Sequence, residues 1–210
     1  MGVPMSVEGE FPPSGQAPRR HLWPIPPEGG YTVEDLYRLP DLPAHTELID
    51  GSLVFMSPQS LFHAMTVDAL NIRLRELAPA EYWVSREMTT VLDEQNAPEP
   101  DLLVVHADSV QGLDQTRFEP SDVVLAVEVV SPSSRSRDRD TKPLKYARAG
   151  IPHYWRVEKE NDRPVVHVFE LEPSTGAYVA TGIFREELKV SVPFPVAVDL
   201  TDIATPPRRS

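Results

Sequence analysis

The chain contains no cysteine in its 210 residues. That absence excludes disulfides, thiolate zinc centres and cysteine nucleophiles, and it fits a reducing cytoplasm. Long apolar runs are missing too: none approaches the roughly 20 residues a membrane helix requires. The N-terminal segment lacks the continuous apolar stretch of a secretory signal. A soluble cytoplasmic protein with no membrane partner is therefore expected. An excess of cations is also lacking, since 20 Lys and Arg face 32 Asp and Glu, for a formal net charge of −12. A general nucleic-acid-binding surface normally shows a basic face, so a large electrostatic footprint is not expected. A metal-dependent site escapes that exclusion, because it is built of carboxylates and the cation restores the local charge.

Residues 1–30 are rich in Pro, Gly and small polar residues without periodicity, which predicts an irregular or disordered tail. Residues 204–210 read as a second flexible tail, leaving one domain over 31–203. Thr32 followed by VEDLYRL predicts a capped short helix. TELIDGSLVFM predicts a hairpin that turns at Asp50-Gly51. Val67, Leu70, Leu74 and Leu77 fall at steps of three and four, which predicts an amphipathic helix over 60–78. A second helix is expected over 139–149, ending at Gly150. Strands are expected at 82–84, 89–92, 102–105, 123–130, 153–157, 165–171, 178–181 and 196–200. The fold class is thus α/β or α+β, with one mixed sheet flanked by helices and extra C-terminal strands.

Two acids stand where acids are costly. Val123–Val130 is apolar at every position except Glu128, the pattern of a central strand buried on both faces. An ionised carboxylate there costs several kcal/mol unless a cation, a Lys or Arg, or a raised pKa compensates. Asp101 follows Pro100 and opens the apolar run LLVV, at the mouth of another strand. Two such acids suit a hard, oxygen-liganded ion, since magnesium takes one or two carboxylates plus waters and phosphate oxygens. An Asp held by turn amides and a Glu bridged to an Arg would explain the same residues equally well.

Asp138, Lys142 and Tyr146 are spaced four apart and share one helix face. A lysine there could point back to the strand ends and stabilise charge developing on a phosphate. On spacing alone a solvated basic helix is the better reading. Its neighbours Arg135, Arg137, Arg139 and Lys145 form the best candidate contact with a nucleic-acid backbone.

Together these residues resemble the PD-(D/E)XK nuclease superfamily, and more closely the Uma-two family of restriction-endonuclease type (domain of unknown function 820). The resemblance rests on ELIDG at Glu47–Gly51, Ser57-Pro58, His63, PEPDLLV through Asp101 and VEVVSPSS through Glu128. Asp138, Lys142, Tyr146 and AGIPHYW ending at Trp155 complete it. It implies a restriction-endonuclease-like mixed sheet, with Asp101 and Glu128 ligating Mg²⁺, or Mn²⁺ in its place. Glu47 would be a further catalytic acid. The superfamily's usual lysine position holds Val130 here, so the resemblance selects Lys142 from the following helix. Pro143 directly after that lysine is tolerable if the helix begins near Asp140 or Thr141.

His63 lies on the core stripe of its helix and reads as a core histidine, although the resemblance draws it toward the site. Glu47 could equally pair with a nearby Arg. Tyr146 reads as packing whose hydroxyl could anchor Lys142, while Tyr154 and Trp155 read as core aromatics. The expected activity is Mg²⁺-dependent endonucleolytic hydrolysis of nucleic acid, DNA in preference, with the main-chain carbonyl of Val129 assisting the metal. The alternative is a catalytically inactive nuclease fold that binds nucleic acid or protein. Homodimers are common among enzymes that cut two strands, but nothing in the sequence demonstrates one.

Overall fold

A computed structural model describes residues 25–201 and 203. The proposed tails fall almost wholly outside that range. Thr32 caps α1 (Val33–Arg38) through reciprocal bonds with Asp35, whose carboxylate accepts the Thr32 N–H at 2.9 Å. Strands β1 (Thr46–Ile49) and β2 (Ser52–Phe55) form the expected hairpin. Its turn places Asp50 and Gly51 at φ 49° and 67°, the left-handed pair that a two-residue hairpin needs. Helix α2 (Leu61–Leu77) starts at Ser60, whose hydroxyl accepts the His63 N–H, and buries Val67, Leu70 and Leu74.

The main sheet is built from β3 (Tyr82–Arg86), β5 (Leu102–His106) and β7 (Val123–Val129), followed by β8 (His153–Glu160), β9 (Arg163–Glu172) and β10 (Ala177–Phe184). A short strand β4 (Thr89–Thr90) pairs in parallel with β6 (Arg117–Phe118) outside it. The six main strands lie in the order β10-β9-β8-β7-β5-β3. Only β7 and β8 run parallel, joined by a crossover through α3 (Lys142–Arg148). A final hairpin of β11 (Glu187–Val190) and β12 (Val196–Asp199) closes the fold. The sequence had suggested β12 but neither β11 nor β6.

Strand alternation distributes β7 between two cores. Leu125, Val127 and Val129 face α2 and the β11–β12 hairpin, while Ala126 joins Tyr146 and Tyr154 on the α3 side. Glu128 falls in step with Ala126 and so points toward α3. The expected continuous helix over 139–149 is corrected. A π turn (Arg137–Thr141) comes first, with the Lys142 N–H bonded to the Arg137 carbonyl, and α3 follows. Pro143 is the physical reason: it has no N–H to donate, and its ring would press on a carbonyl of a tighter preceding turn. Gly150, at φ 83°, ends the helix as expected.

The load on α2 is separable from its exposed face. Leu74→Ala is expected to cost about 2–5 kcal/mol in urea unfolding, whereas Ile72→Ala on the open face should stay within about 0.5 kcal/mol. Equal effects would contradict the packing described.

Candidate active site

The site sits at the C-terminal end of β7, where the chain leaves the sheet and re-enters through α3. Antiparallel pairing sets Leu102 opposite Val127, which brings Asp101 to the end of β7. There its Oδ2 accepts the Val129 N–H at 2.6 Å, and its Oδ1 lies 3.1 Å from His63 Nε2. Val129 therefore contributes an N–H that fixes Asp101, a contact that spacing along the chain did not reveal. His63 is buried as expected of a core residue, but it faces Asp101, and its Nδ1 has no hydrogen-bond partner among the described residues.

Lys142 is the first residue of α3, and its ammonium turns down onto the end of β7. It lies 2.9 Å from Glu128 Oε1, 2.7 Å from Glu47 Oε1 and 3.7 Å from Asp138 Oδ1, and the residue is only 1% exposed. The Tyr146 hydroxyl donates to the same Glu128 oxygen at 2.6 Å. Glu47 reaches the site because the bridge between Leu48 and Ala97 docks the β1–β2 hairpin beside the segment leading into β5. Its Oε1 also accepts the Glu99 N–H at 2.8 Å. Asp138 is held by the Ser134 hydroxyl, and the Tyr154 hydroxyl donates to the Asp138 carbonyl at 2.6 Å. Tyr154 is thus a core aromatic whose polar end braces the π turn.

Six of the expected residues, namely Glu47, His63, Asp101, Glu128, Asp138 and Lys142, are brought into one buried cluster with Tyr146 beside them. The backbone-contact candidates are not brought in. Arg139 is bound to Glu158 on β8, and Lys145 to Asp50 in the hairpin turn. Those two cations are committed internally because carboxylates distant in sequence lie against them. Among the described residues Arg135 and Arg137 make no ion pair.

The electrostatics are unbalanced. Four buried carboxylates, on Glu47, Asp101, Glu128 and Asp138, face one ammonium and one imidazole. Burial drives the Glu128 carboxyl well above its ordinary range; Lys142 opposes this, but the charges of Asp138, Asp101 and Glu47 add to it. Burial likewise raises Asp138 despite Lys142 and Ser134. Burial works against the Lys142 ammonium, yet Glu128, Glu47 and Asp138 outweigh it and hold the group cationic. Burial lowers His63, and the bond to Asp101 with the surrounding acids more than reverses that.

A cavity of about 20 Å³ opens between Asp101, Glu128, Val129, Ser131, Ser134 and Lys142. That is room for one water-sized particle. Among the described residues no three His, Asp or Glu side chains converge to hold a metal by themselves. The donor set nevertheless fits magnesium, which needs one or two carboxylates plus waters. The excess buried negative charge is what a divalent cation would relieve. Ser131, Ser134 and Glu99 are participants that the sequence did not single out, although Glu99 between two prolines and two residues before Asp101 was a signal of sorts.

The sequence model of the Uma2 family, described as "Putative restriction endonuclease", matches residues 33–202. Among solved structures, a crystal structure from Anabaena variabilis ATCC 29413, described as "a putative nuclease belonging to DUF820", aligns with a TM-score of 0.65 and 16% identity. The alignment covers 82% of this chain and 96% of that one, and at this identity it speaks for the fold alone. No curated protein matches the chain.

The buried charge gives a pH signature. Folded Glu128 holds its proton more tightly than the unfolded chain does. Its contribution is therefore full below the unfolded value of about 4.5 and is lost as the pH rises toward the folded value. Without divalent cation, Glu128→Gln should gain thermal stability relative to wild type as pH is raised from 4.5 through neutrality. A difference in thermal midpoints that is flat or shrinks with pH would count against this account.

Proposed function

This chain belongs to the Uma2 family of restriction-endonuclease type, and from that membership we propose that it is a Mg²⁺-dependent endonuclease acting on DNA. The observation that carries the reading is the buried set at the end of β7: two strand-end acids on one cavity, with a lysine ammonium 2.9 Å from one of them. Asp101 and Glu128 would hold the metal, assisted by the main-chain carbonyl of Val129, a residue of the same lining. When bound, magnesium supplies Lewis-acid stabilisation of the phosphoryl oxygens and a more acidic water.

The chain's own groups do the rest. The Val129 N–H and His63 fix the Asp101 carboxylate, and Tyr146 fixes Glu128. Both described hydrogen bonds to Glu128 fall on Oε1, which orients the carboxylate toward the cavity. Lys142 replaces the lysine absent at Val130, and its charge orients the attacking water or stabilises the negative charge growing on the phosphate. Glu128, Glu47 and Asp138 together hold that ammonium cationic against its burial. The neighbouring Ser131 hydroxyl offers a neutral donor to phosphate oxygens in a site otherwise rich in acids, while the Ser134 proton is committed to Asp138.

Asp101→Asn and Glu128→Gln are expected to lower Mg²⁺- or Mn²⁺-dependent DNA cleavage by about 100-fold or more, since even outer-shell partners are worth 10–100-fold. Both proteins should keep a cooperative thermal transition. Calorimetric titration of each metal should show binding weakened in the double variant. Undiminished cleavage in either variant would remove the assignment. Metal-independent DNA binding with no cleavage in wild type would favour the inactive, binding-only alternative.

A further inference from the structure

A groove of about 480 Å³ opens beside the catalytic cavity. The two share Met56, Ser57, Pro58, Gln59 and Asp101 in their walls, so whatever fills the groove touches the reacting site. Its lining is weighted against a phosphate chain. Glu87, Glu99 and Asp101 line it with one histidine, His45, and among the described residues no Lys or Arg does; the basic partners of these acids, Arg86, His45 and His63, are spent on them. A duplex presents about one negative charge per 1.7 Å of axis and needs cations along its path. The part of a nucleic acid that suits this groove is its uncharged part.

We propose that the groove receives one unpaired nucleobase next to the scissile phosphate, so that the preferred substrate is single-stranded or locally unpaired nucleic acid. This rests on the nuclease reading above and adds the substrate class to it. Three features of the groove meet a base. Ala44, Met56 and Pro58 supply apolar surface for a ring face. The Gln59 amide and the Ser57 hydroxyl offer donors and acceptors to a base edge, and carboxylates such as Glu87 and Glu99 accept from exocyclic amino groups. The volume lies within the range of pockets that enclose small molecules, and a run of paired backbone would not fit it.

The rim is held in place. His45 adopts φ 58°, a left-handed backbone that a non-glycine residue keeps only when its surroundings impose it, and its Nδ1 bonds the Glu99 carboxylate. Glu99 is anchored from the other side by its own N–H on Glu47, which contacts Lys142. The Gln59 amide leans on Glu87 at 3.4 Å, a loose contact that a base edge can replace. Through Glu99 and Glu47 the base-reading wall is two bonds from the reacting lysine, which fixes the groove's position relative to the catalytic set.

The test uses the full chain and fluorescence anisotropy in Ca²⁺, with a labelled single-stranded oligodeoxynucleotide and its blunt duplex as probes. Single strand should bind about tenfold more tightly than duplex, the scale of one well-read base edge. Gln59→Ala and Glu87→Gln should each remove most of that advantage while leaving duplex binding unchanged. In Mg²⁺ they should shift the preferred base beside the cut through KM rather than kcat. Equal or tighter duplex binding, binding of neither probe, or variants with undiminished single-strand affinity would overturn the proposal. The two readings fail separately. Single-strand preference lost in the variants, but with no cleavage in Mg²⁺ or Mn²⁺, removes the nuclease and leaves the base pocket. Duplex cleavage abolished by Asp101→Asn without single-strand preference does the reverse.

Discussion

The Lys142 ammonium is the constraint on which the rest of the site depends. A charged amine in a dry interior is expensive, and so is each carboxylate around it; the arrangement is tolerable only because they meet. Glu47 arrives from the β1–β2 hairpin, Glu128 from the centre of the sheet and Asp138 from the π turn before α3. The hairpin, distant in sequence, is therefore tied at one nitrogen to the central strand and to the turn just before the lysine. Docking of the hairpin, closure of the β7–α3–β8 crossover and assembly of the site share these contacts. The pairing also leaves a remainder. One ammonium and one imidazole do not balance four acids, and a divalent cation at the cavity would offset that residual negative charge.

The π turn follows from the same requirement. An ordinary helix from Ser136 onward would run into Pro143, whose ring and missing N–H oppose a regular preceding turn. Widening the turn over Arg137–Thr141 accommodates the proline. In the widened turn Asp138 and Lys142 both stay buried on the sheet side, where the Tyr154 hydroxyl braces the Asp138 carbonyl. The residue after the lysine, which read as an obstacle in the sequence, accounts for the local geometry that presents it.

Much of this was legible beforehand, and for local reasons. Glu128 stood out as the single polar residue in an apolar strand, and Asp101 as an acid opening another. Asp50-Gly51 and Thr32 carried their own turn and cap chemistry. What was not legible depends on pairing across long sequence separations. That Glu158 and Asp50 would claim Arg139 and Lys145 follows from β8 and the hairpin turn lying against α3. That Val129 would donate its N–H to Asp101 follows from the register of β5 on β7. Strands β6 and β11 are short and hold few apolar residues, so their pairing partners, and no pattern of their own, define them.

A chain of net charge −12 that acts on a polyanion must keep its repulsion local. Screening limits each surface charge to about 8–10 Å at physiological ionic strength, so the average sign of the surface matters less than the sign along the substrate's path. That path begins at a cavity whose acids are partly neutralised by Lys142 and would be further neutralised by a divalent ion. The Ser131 hydroxyl beside it would meet phosphate without adding charge. Beyond the cavity, the acidic groove repels phosphate and can be entered only by the part of a nucleotide that carries none. Acidity, which argues against a nucleic-acid substrate when counted over the whole chain, would on the proposed reading become at this position a means of choosing how the substrate enters: phosphate toward the cavity, base toward the groove. A continuous duplex cannot present both at once without first unpairing.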